Sequence, residues 1–158
     1  KAYCTRVGNG PFPTELLGDT GDLLRKKGHE FGATTGRPRR CGWLDLVALK
    51  YACRINGLNE LTLTKMDVMD GFDTIKVCTS YRIDNTETKV FPLSLKNLEK
   101  VEPIYTQLLG WDQDISGITT WNELPNSAQD YIRFLEEYLG ISFKIISTGP
   151  KRNETIIC

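Results

Sequence analysis

Two amphipathic helical patterns, set among short β-prone runs, constrain the fold of this chain more than any other feature. Within Trp43–Asn56, apolar side chains recur at the three- and four-residue spacing of one helix face, and Gly57 follows as a predicted cap. A second such pattern occupies Pro125–Leu139 and is followed by Gly140. Helices that alternate with strands predict the α/β class.

The β-prone runs are short, and two of them predict an antiparallel hairpin. Apolar and polar side chains alternate over Ile75–Ile83, Asp84 and Asn85 can turn the chain, and Thr88–Phe91 returns. The sequence contains no internal repeat and no long linker, so we expect one structural unit. Other predictions are strands at Ala2–Val7, Glu60–Thr64 and Ile141–Ile146, helical stretches at Leu23–Lys27 and Leu93–Val101, and irregular chain at Phe31–Cys41 and Trp111–Asn122.

Composition argues against several classes of function. Twenty basic residues balance twenty acidic ones, so we expect neither nucleic acid nor a membrane surface as a partner. No apolar run approaches the length of a membrane span, and Lys1–Gly10 lacks the apolar core of a signal peptide. Five scattered cysteines, no CxxC pair and a single histidine, His29, argue against a zinc site and favour reduced thiols in a cytosolic protein.

Two predicted strand ends carry side chains suited to a guanine base. In open α/β sheets, ligands bind beyond the carboxyl ends of the strands. One strand leads into Lys65-Met66-Asp67 and another into Ser147-Thr148-Gly149. A carboxylate can accept hydrogen bonds from guanine N1–H and the 2-amino group, which adenine lacks, and a lysine stem can lie across the base. Solvated loop charges are an equally good interpretation of these residues.

A second candidate site is an anion-binding loop over Gly32–Arg40. The guanidinium groups of Arg37, Arg39 and Arg40 match carboxylate and phosphate oxygens in pairs. Consecutive N–H groups in the Thr-Thr-Gly stretch can form an anion nest, and a proline stiffens the loop. The competing interpretation is a solvated basic turn, in which Asp45 pairs with one of the arginines.

Phosphate-binding and metal-binding motifs are missing from the sequence. There is no GxxxxGK[ST] loop to hold a triphosphate, and no carboxylate cluster has magnesium spacing. The Gly- and Pro-rich turn Arg6–Glu15 is interpreted as a connector. The chain also begins without Met in a run typical of a strand, so we expect it to be a piece of a longer polypeptide.

Taken together, the motifs resemble the C-terminal portion of adenylosuccinate synthetase over essentially the whole chain. The resemblance implies part of a P-loop NTPase-like, mainly parallel sheet with flanking helices and an inserted antiparallel hairpin. The motifs, in family order, are VGNGPFPTE (Val7–Glu15), EFGATTGRPRRCGWLD (Glu30–Asp45), LTKMDVMDG (Leu63–Gly71), VEPIY (Val101–Tyr105), GW (Gly110–Trp111) and STGPKRNETI (Ser147–Ile156).

The resemblance also implies an activity in cytoplasmic AMP biosynthesis. Enzymes of this family are homodimers that use GTP and Mg2+ to join IMP and L-aspartate through 6-phosphoryl-IMP, giving adenylosuccinate. The family's phosphate loop, catalytic Asp, general-acid His and magnesium ligands are expected N-terminal to Lys1. We therefore expect no catalytic or metal-binding residue here, no catalytic role for His29, and no turnover by these residues alone.

The site residues implied by the resemblance fall in the two candidate sites. Within the aspartate loop, Arg37 matches an arginine that also contacts IMP, Arg39 one at the junction of aspartate and GTP, and Pro38 stands where many members have arginine. The open alternatives are a stand-alone guanine-nucleotide-binding module and a purely structural domain. The aspartate loop comprises Ala33, Thr34, Thr35, Gly36, Arg37, Pro38 and Arg39, and the guanine-binding segments comprise Lys65, Met66, Asp67, Ser147, Thr148 and Gly149.

Overall fold

A computed structural model describes all residues from Lys1 to Cys158 and confirms the mixed α/β class. Two short 3-10 helices lie at Asp67–Met69 and Trp121–Glu123. The helices are α1 (Asp19–Lys27), α2 (Leu46–Asn56), α3 (Leu95–Leu98) and α4 (Asn126–Leu139). The strands are β1 (Cys4–Arg6), β2 (Arg40–Gly42), β3 (Leu44–Asp45), β4 (Glu60–Leu63), β5 (Thr74–Ile83), β6 (Thr86–Thr88), β7 (Glu102–Leu109), β8 (Ser142–Ser147) and β9 (Thr155–Ile157).

Internal contacts divide the chain into two compact units, whereas the sequence suggested one. The first unit consists of Lys1–Ala2, Ala52–Ile75 and Gln107–Cys158, and the second of Tyr3–Tyr51 and Lys76–Thr106. Three of the boundaries fall inside α2, β5 and β7. A division inside regular elements leaves no Pro- or Gly-rich linker, which is the signal that sequence analysis uses to find domain boundaries.

The second unit contains the predicted hairpin. Strands β5 and β6 pair antiparallel, with Tyr81 opposite Thr88, and β7 also pairs with β5. Asp84 and Asn85 make the turn at φ angles of 47° and 64°, in the left-handed region that Asn and Asp tolerate best after glycine. The returning strand is β6 at residues 86–88, not Thr88–Phe91, so the hairpin is confirmed and its second strand is displaced.

The start of α2 corrects the predicted helix boundary. The helix begins at Leu46 rather than Trp43, because Leu44–Asp45 forms β3, which pairs in parallel with Val77–Cys78 of β5. Backbone hydrogen bonds to a neighbouring strand here outweigh the helical periodicity of the apolar side chains. At the other end of the predicted apolar face, Ile55 is 60% exposed.

The first unit contains α4 and the sheet β4-β8-β9. The predicted apolar face of α4 is confirmed, since Ala128, Tyr131, Leu135 and Leu139 are all buried. Gly140 ends the helix at a φ of 71°, and its N–H donates to the Glu136 carbonyl at 2.8 Å, as expected of a left-handed glycine cap.

The expected mainly parallel sheet is not what the chain forms. There are three small sheets, and β1-β2, β5-β6 and β8-β9 pair antiparallel, whereas β3-β5 and β4-β8 pair parallel. Strands β8 and β9 are joined by residues 148–154, which is too short for the crossover that a parallel pair requires. The relation to P-loop NTPases stays a prediction.

Candidate functional site

The predicted anion loop lies in the second unit and is closed by its own backbone. The Gly32 N–H donates to the Arg37 carbonyl and the Gly36 N–H donates to the Gly32 carbonyl, both at 2.9 Å. The Arg37 N–H donates to Thr35 Oγ1 at 3.4 Å. Residues 33–38 are exposed. The N–H of Gly36, expected from the sequence to form part of an anion nest, is therefore engaged within the loop.

The three arginines of the loop have different surroundings. Arg37 is exposed near the tip. Arg39 donates from Nη1 to Glu30 Oε2 at 2.7 Å, and 34% of its side chain stays exposed. Arg40 binds both carboxylate oxygens of Glu15, at 2.7 and 2.5 Å. The loop therefore presents Arg37 and part of Arg39 to solvent, whereas Arg40 is bound to the neighbouring turn.

The solvated-turn interpretation expected Asp45 to pair with one of the loop arginines, but in the structure its partners are different. Its Oδ1 accepts the Ala48 N–H at 3.0 Å and so caps α2, and its Oδ2 accepts the Tyr81 hydroxyl at 2.5 Å. The residue is buried, and burial raises the pKa of its carboxyl despite these hydrogen bonds. This carboxylate therefore orders the second unit and does not shape the arginine loop.

The two strand ends predicted to bind guanine lie in the first unit, and the structure brings them together. Strands β4 and β8 are parallel neighbours, with Leu63 opposite Ile146, so both end at the same edge. The Met66 N–H donates to the Ser147 carbonyl at 3.2 Å, which joins the two segments directly. This edge is where open α/β sheets bind ligands.

Asp67 lies at this edge as a half-buried carboxylate. It opens the 3-10 helix Asp67–Met69. The pKa of its carboxyl is raised, and burial is the largest cause. The Glu154 carboxylate adds to the rise, whereas the Lys65 ammonium opposes it. A half-buried carboxylate of this kind is stabilised by any ligand that brings N–H donors to it.

The turn after β8 is held by contacts that sequence analysis missed. Ser147 Oγ donates to the Gly149 carbonyl and Thr148 Oγ1 to the Ile118 carbonyl, both at 2.8 Å. Thr148 is fully buried, and its N–H donates to the Glu154 carbonyl at 3.0 Å. A Cβ at Gly149 would lie 2.3 Å from Glu154 Oε2. A side chain at position 149 would therefore require the Glu154 side chain to move.

Asp70 is a second carboxylate that sequence analysis did not single out. Its Oδ1 accepts the indole N–H of Trp111 at 2.6 Å, and its Oδ2 accepts the Ile115 N–H at 3.2 Å. It thereby orders the irregular stretch that leads to Ile118, the acceptor of the Thr148 hydroxyl. Asp70 lies in the LTKMDVMDG motif and Trp111 in the GW motif, but neither motif indicates that the two side chains form a hydrogen bond.

The side chains that could bind a metal ion are not clustered. No group of three or more His, Cys, Asp or Glu side chains is arranged to hold a metal ion. All five cysteines are free thiols. His29 is exposed directly after α1, with a φ of 49°. None of the helices is both long enough and apolar enough to cross a bilayer.

Comparison with solved structures first defines the class of α/β protein to which the chain belongs. A solved structure titled as fully ligated adenylosuccinate synthetase from Plasmodium falciparum matches with a TM-score of 0.95 and 42% identity, covering 99% of this chain and 38% of that one. Such a score over nearly the whole chain means that the two share one fold.

Sequence comparison then gives the family. Residues 1–156 match the family model described as adenylosuccinate synthetase. The chain is 59% identical over 156 residues to the adenylosuccinate synthetase of Salinibacter ruber, covering 99% of this chain and 36% of that protein. For the enzyme of Alkaliphilus metalliredigens the identity is 54% over 157 residues, with 99% and 37% covered. The chain therefore belongs to the adenylosuccinate synthetase family and spans a little over a third of these relatives' length.

Proposed function

We propose that this chain supplies the guanine-binding edge and the aspartate-binding loop of an adenylosuccinate synthetase. The reaction is the GTP-dependent joining of IMP and L-aspartate through 6-phosphoryl-IMP, in the AMP branch of cytoplasmic purine nucleotide biosynthesis. The observation that carries the proposal is the Met66–Ser147 hydrogen bond, which joins two strand ends at one sheet edge. Family membership supports the assignment, although the chain covers only part of each relative.

At the proposed guanine-binding edge, Asp67 is the residue that selects the base. Its carboxylate accepts hydrogen bonds from guanine N1–H and the 2-amino group, while the Lys65 stem covers the base or ribose. The proposal accounts for a half-buried carboxylate whose pKa is raised by burial, because two ligand N–H donors would compensate the lost solvation. The Thr148–Ile118 and Ser147–Gly149 hydrogen bonds keep the adjoining turn in one conformation.

At the proposed aspartate loop, Arg37 and Arg39 bind the carboxylates of the incoming aspartate, and Thr35 adds its hydroxyl. Guanidinium groups offset negative charge where aspartate meets phosphorylated IMP and GTP. The exposed tip and the partly exposed Arg39 leave donors for such a ligand. Pro38 restricts the loop before the ligand binds.

Magnesium and the triphosphate are not assigned to residues of this chain. No carboxylate or histidine cluster fits a metal ion, and no GxxxxGK[ST] motif is present in the sequence. We propose that magnesium, the transferred phosphoryl group and the homodimer contacts involve other parts of the synthetase. Accordingly, the 158 residues alone are expected to show no ligase or GTPase turnover.

The guanine assignment is tested in a chimera in which residues 1–156 replace the matching segment of the Salinibacter ruber relative. In Asp67→Asn, the affinity for GTP is expected to fall by about 1–3 kcal/mol, because an amide NH2 replaces an acceptor of the base N–H groups. Use of xanthosine triphosphate should improve, because its 2-oxo group suits an amide donor. The matched control is Asp112→Asn, an exposed carboxylate of the same unit.

Steady-state kinetics with both nucleotides distinguish base recognition from general damage. An Asp67→Asn chimera that loses activity equally with GTP and xanthosine triphosphate would rule out base selection by this residue. A chimera that is active but insensitive to Asp67→Asn would reject the guanine edge altogether.

A further inference from the structure

Glu30 is a buried carboxylate bound to an arginine of the proposed aspartate loop. The residue is fully buried, and its Oε2 accepts from Arg39 Nη1 at 2.7 Å. Its Oε1 accepts the Tyr3 hydroxyl at 2.5 Å. The Arg39 N–H also donates to the Glu30 carbonyl at 2.9 Å. Each carboxylate oxygen therefore has its own donor, and Arg39 is tied to Glu30 through both backbone and side chain.

Burial of this charge is not explained by packing alone. Removing a carboxylate from water is costly, and an apolar side chain of similar volume often stabilises a fold as well as a buried ion pair does. What an ion pair adds is a defined position for its partner. Glu30 has no exposed surface, whereas the side chain of Arg39 is 34% exposed. One end of the guanidinium is thus fixed inside the protein while other N–H groups can meet a ligand.

Space for the Tyr3 hydroxyl is provided by Gly28. A Cβ at Gly28 would lie 2.0 Å from the Tyr3 hydroxyl oxygen and 2.9 Å from the Leu24 carbonyl oxygen. The backbone of Gly28 has a φ of −79°, which any residue can adopt, so conformation does not require glycine there. The Tyr3 side chain is itself buried. Gly28 thus leaves room for the Tyr3 hydroxyl, and Tyr3 in turn holds the Glu30 carboxylate in place.

We propose that Glu30, held by Tyr3, is a positioning residue that sets the guanidinium of Arg39 for the aspartate carboxylate. The inference rests on the proposed function of the loop. An arginine already held in its binding geometry loses less conformational freedom when the ligand arrives, so affinity for aspartate rises. Arg25 Nε donates to the Arg39 carbonyl at 2.9 Å, which fixes the backbone of the same residue.

The test uses the chimeric synthetase described above and compares Glu30→Gln, Arg39→Ala and the double variant. Glutamine keeps the shape of Glu30 but removes its charge. The expected result for Glu30→Gln is a rise of about 10-fold in the KM for aspartate, with the KM for IMP changed less than about twofold. In the Arg39→Ala background, Glu30→Gln should cause no further rise, because the two residues act as one unit.

The matched control is Glu15→Gln, which removes the charge of a carboxylate paired with Arg40 in the same unit. It should leave the KM for aspartate unchanged. Thermal unfolding of every variant separates loss of fold from loss of positioning. If Glu30→Gln fails to fold, Tyr3→Phe replaces it, with an expected rise of about 2- to 5-fold in the KM for aspartate that again vanishes in the Arg39→Ala background.

Each outcome separates this inference from the function on which it rests. An Arg39→Ala chimera with an unchanged KM for aspartate rejects the proposed loop function and, with it, the role of Glu30. A raised KM in Arg39→Ala but not in folded Glu30→Gln or Tyr3→Phe overturns the positioning role alone. Equal effects of Glu30→Gln with and without Arg39 also overturn it, because they show a general structural contribution.

Discussion

Arg40 binds Glu15 through both oxygens of its carboxylate, from Nε at 2.7 Å and from Nη2 at 2.5 Å. Its Nη1 donates to the carbonyls of Gly8 and Gly10, and its guanidinium lies 5.6 Å from the centre of the Phe12 ring. The hydrogen bond from Arg40 is the main cause of the lowered pKa of Glu15. This arginine therefore holds the turn at residues 8–15, although it stands next to Arg39 in the sequence.

Substitution of neighbouring arginines should consequently have different effects. Arg40→Lys is expected to lower the free energy of unfolding by about 1 kcal/mol, because lysine cannot make the paired hydrogen bonds to Glu15. It should leave the KM for aspartate nearly unchanged. Arg39→Lys is expected to lower kcat/KM for aspartate in the chimeric enzyme, by a factor that corresponds to about 2–4 kcal/mol of lost transition-state stabilisation. Lysine keeps the positive charge, but it lacks the planar donor geometry of the guanidinium.

Urea unfolding and steady-state kinetics of the two variants measure this contrast. The assignment of Arg40 to the turn is wrong if Arg40→Lys damages catalysis more than Arg39→Lys does. A kinetically silent Arg39→Lys would contradict the proposed role of the loop.

The hydrogen bond from Tyr81 to Asp45 predicts a stability effect of its own. In Tyr81→Phe, the buried carboxylate loses one of its donors, which should lower the free energy of unfolding by about 1–3 kcal/mol. The control is Tyr105→Phe, in the same unit, whose hydroxyl makes no hydrogen bond to Asp45. Chemical denaturation of both variants tests the difference, and equal stability losses would contradict a specific role for the Tyr81–Asp45 bond.

The elements that could be predicted from sequence are those with a local signal. The face of α4 and its glycine cap follow from periodicity and from Gly140, and the β5-β6 hairpin follows from alternation around Asp84 and Asn85. Strands β7 and β9 were not predicted. Their extended conformation depends on pairing with β5 and β8, which are distant in sequence or reached through an irregular turn.

For the candidate site, the sequence indicates residues whose chemistry suits a ligand, but not the contacts that position them. That β4 and β8 end together could be expected from the rule for strand ends, and the register confirms it. The partners Glu30, Glu154 and Asp70 carry no local pattern that distinguishes them from solvated acids. Only the fold shows that each is buried or half-buried against a specific donor.

Of the single substitutions considered, Gly110→Ala, which adds one methyl group, is expected to cause the largest loss of stability. A Cβ there would lie 1.5 Å from the Phe72 carbonyl oxygen, and the Gly110 N–H donates to the Asp73 carbonyl at 2.9 Å. Gly110→Ala must displace backbone, so we expect a loss of about 3 kcal/mol or more in the free energy of unfolding. Gly117→Ala is the control, because its φ of 81° costs about 1 kcal/mol while its surroundings are open. Similar urea midpoints for the two variants would contradict the close approach at Gly110.

The carboxyl of Asp70 predicts a pH dependence of stability in the first unit. Burial raises its pKa from the ordinary 3.8 to about 6, and the nearby carboxylates of Asp114 and Asp67 add to the rise. The hydrogen bonds from Trp111 and Ile115 oppose this change but do not cancel it. Between the ordinary and the raised pKa, the folded protein binds more protons than the unfolded chain. The free energy of unfolding therefore falls as the pH rises through this window and levels off above it.

Urea unfolding of the wild type and of Asp70→Asn, at about pH 4.5 and about pH 7.5, measures the contribution of this one group to the pH dependence. The wild type is expected to lose about 1 kcal/mol more than Asp70→Asn between these conditions, a value reduced for the solvent that reaches the half-buried carboxyl. Asp112→Asn, which alters an exposed carboxylate of the same unit, should retain the wild-type dependence. NMR titration of the Asp70 carboxyl carbon gives the pKa directly, with an expected midpoint of about 6. A midpoint near the ordinary 3.8, or an unchanged pH dependence in Asp70→Asn, would show that solvent reaches this carboxyl freely.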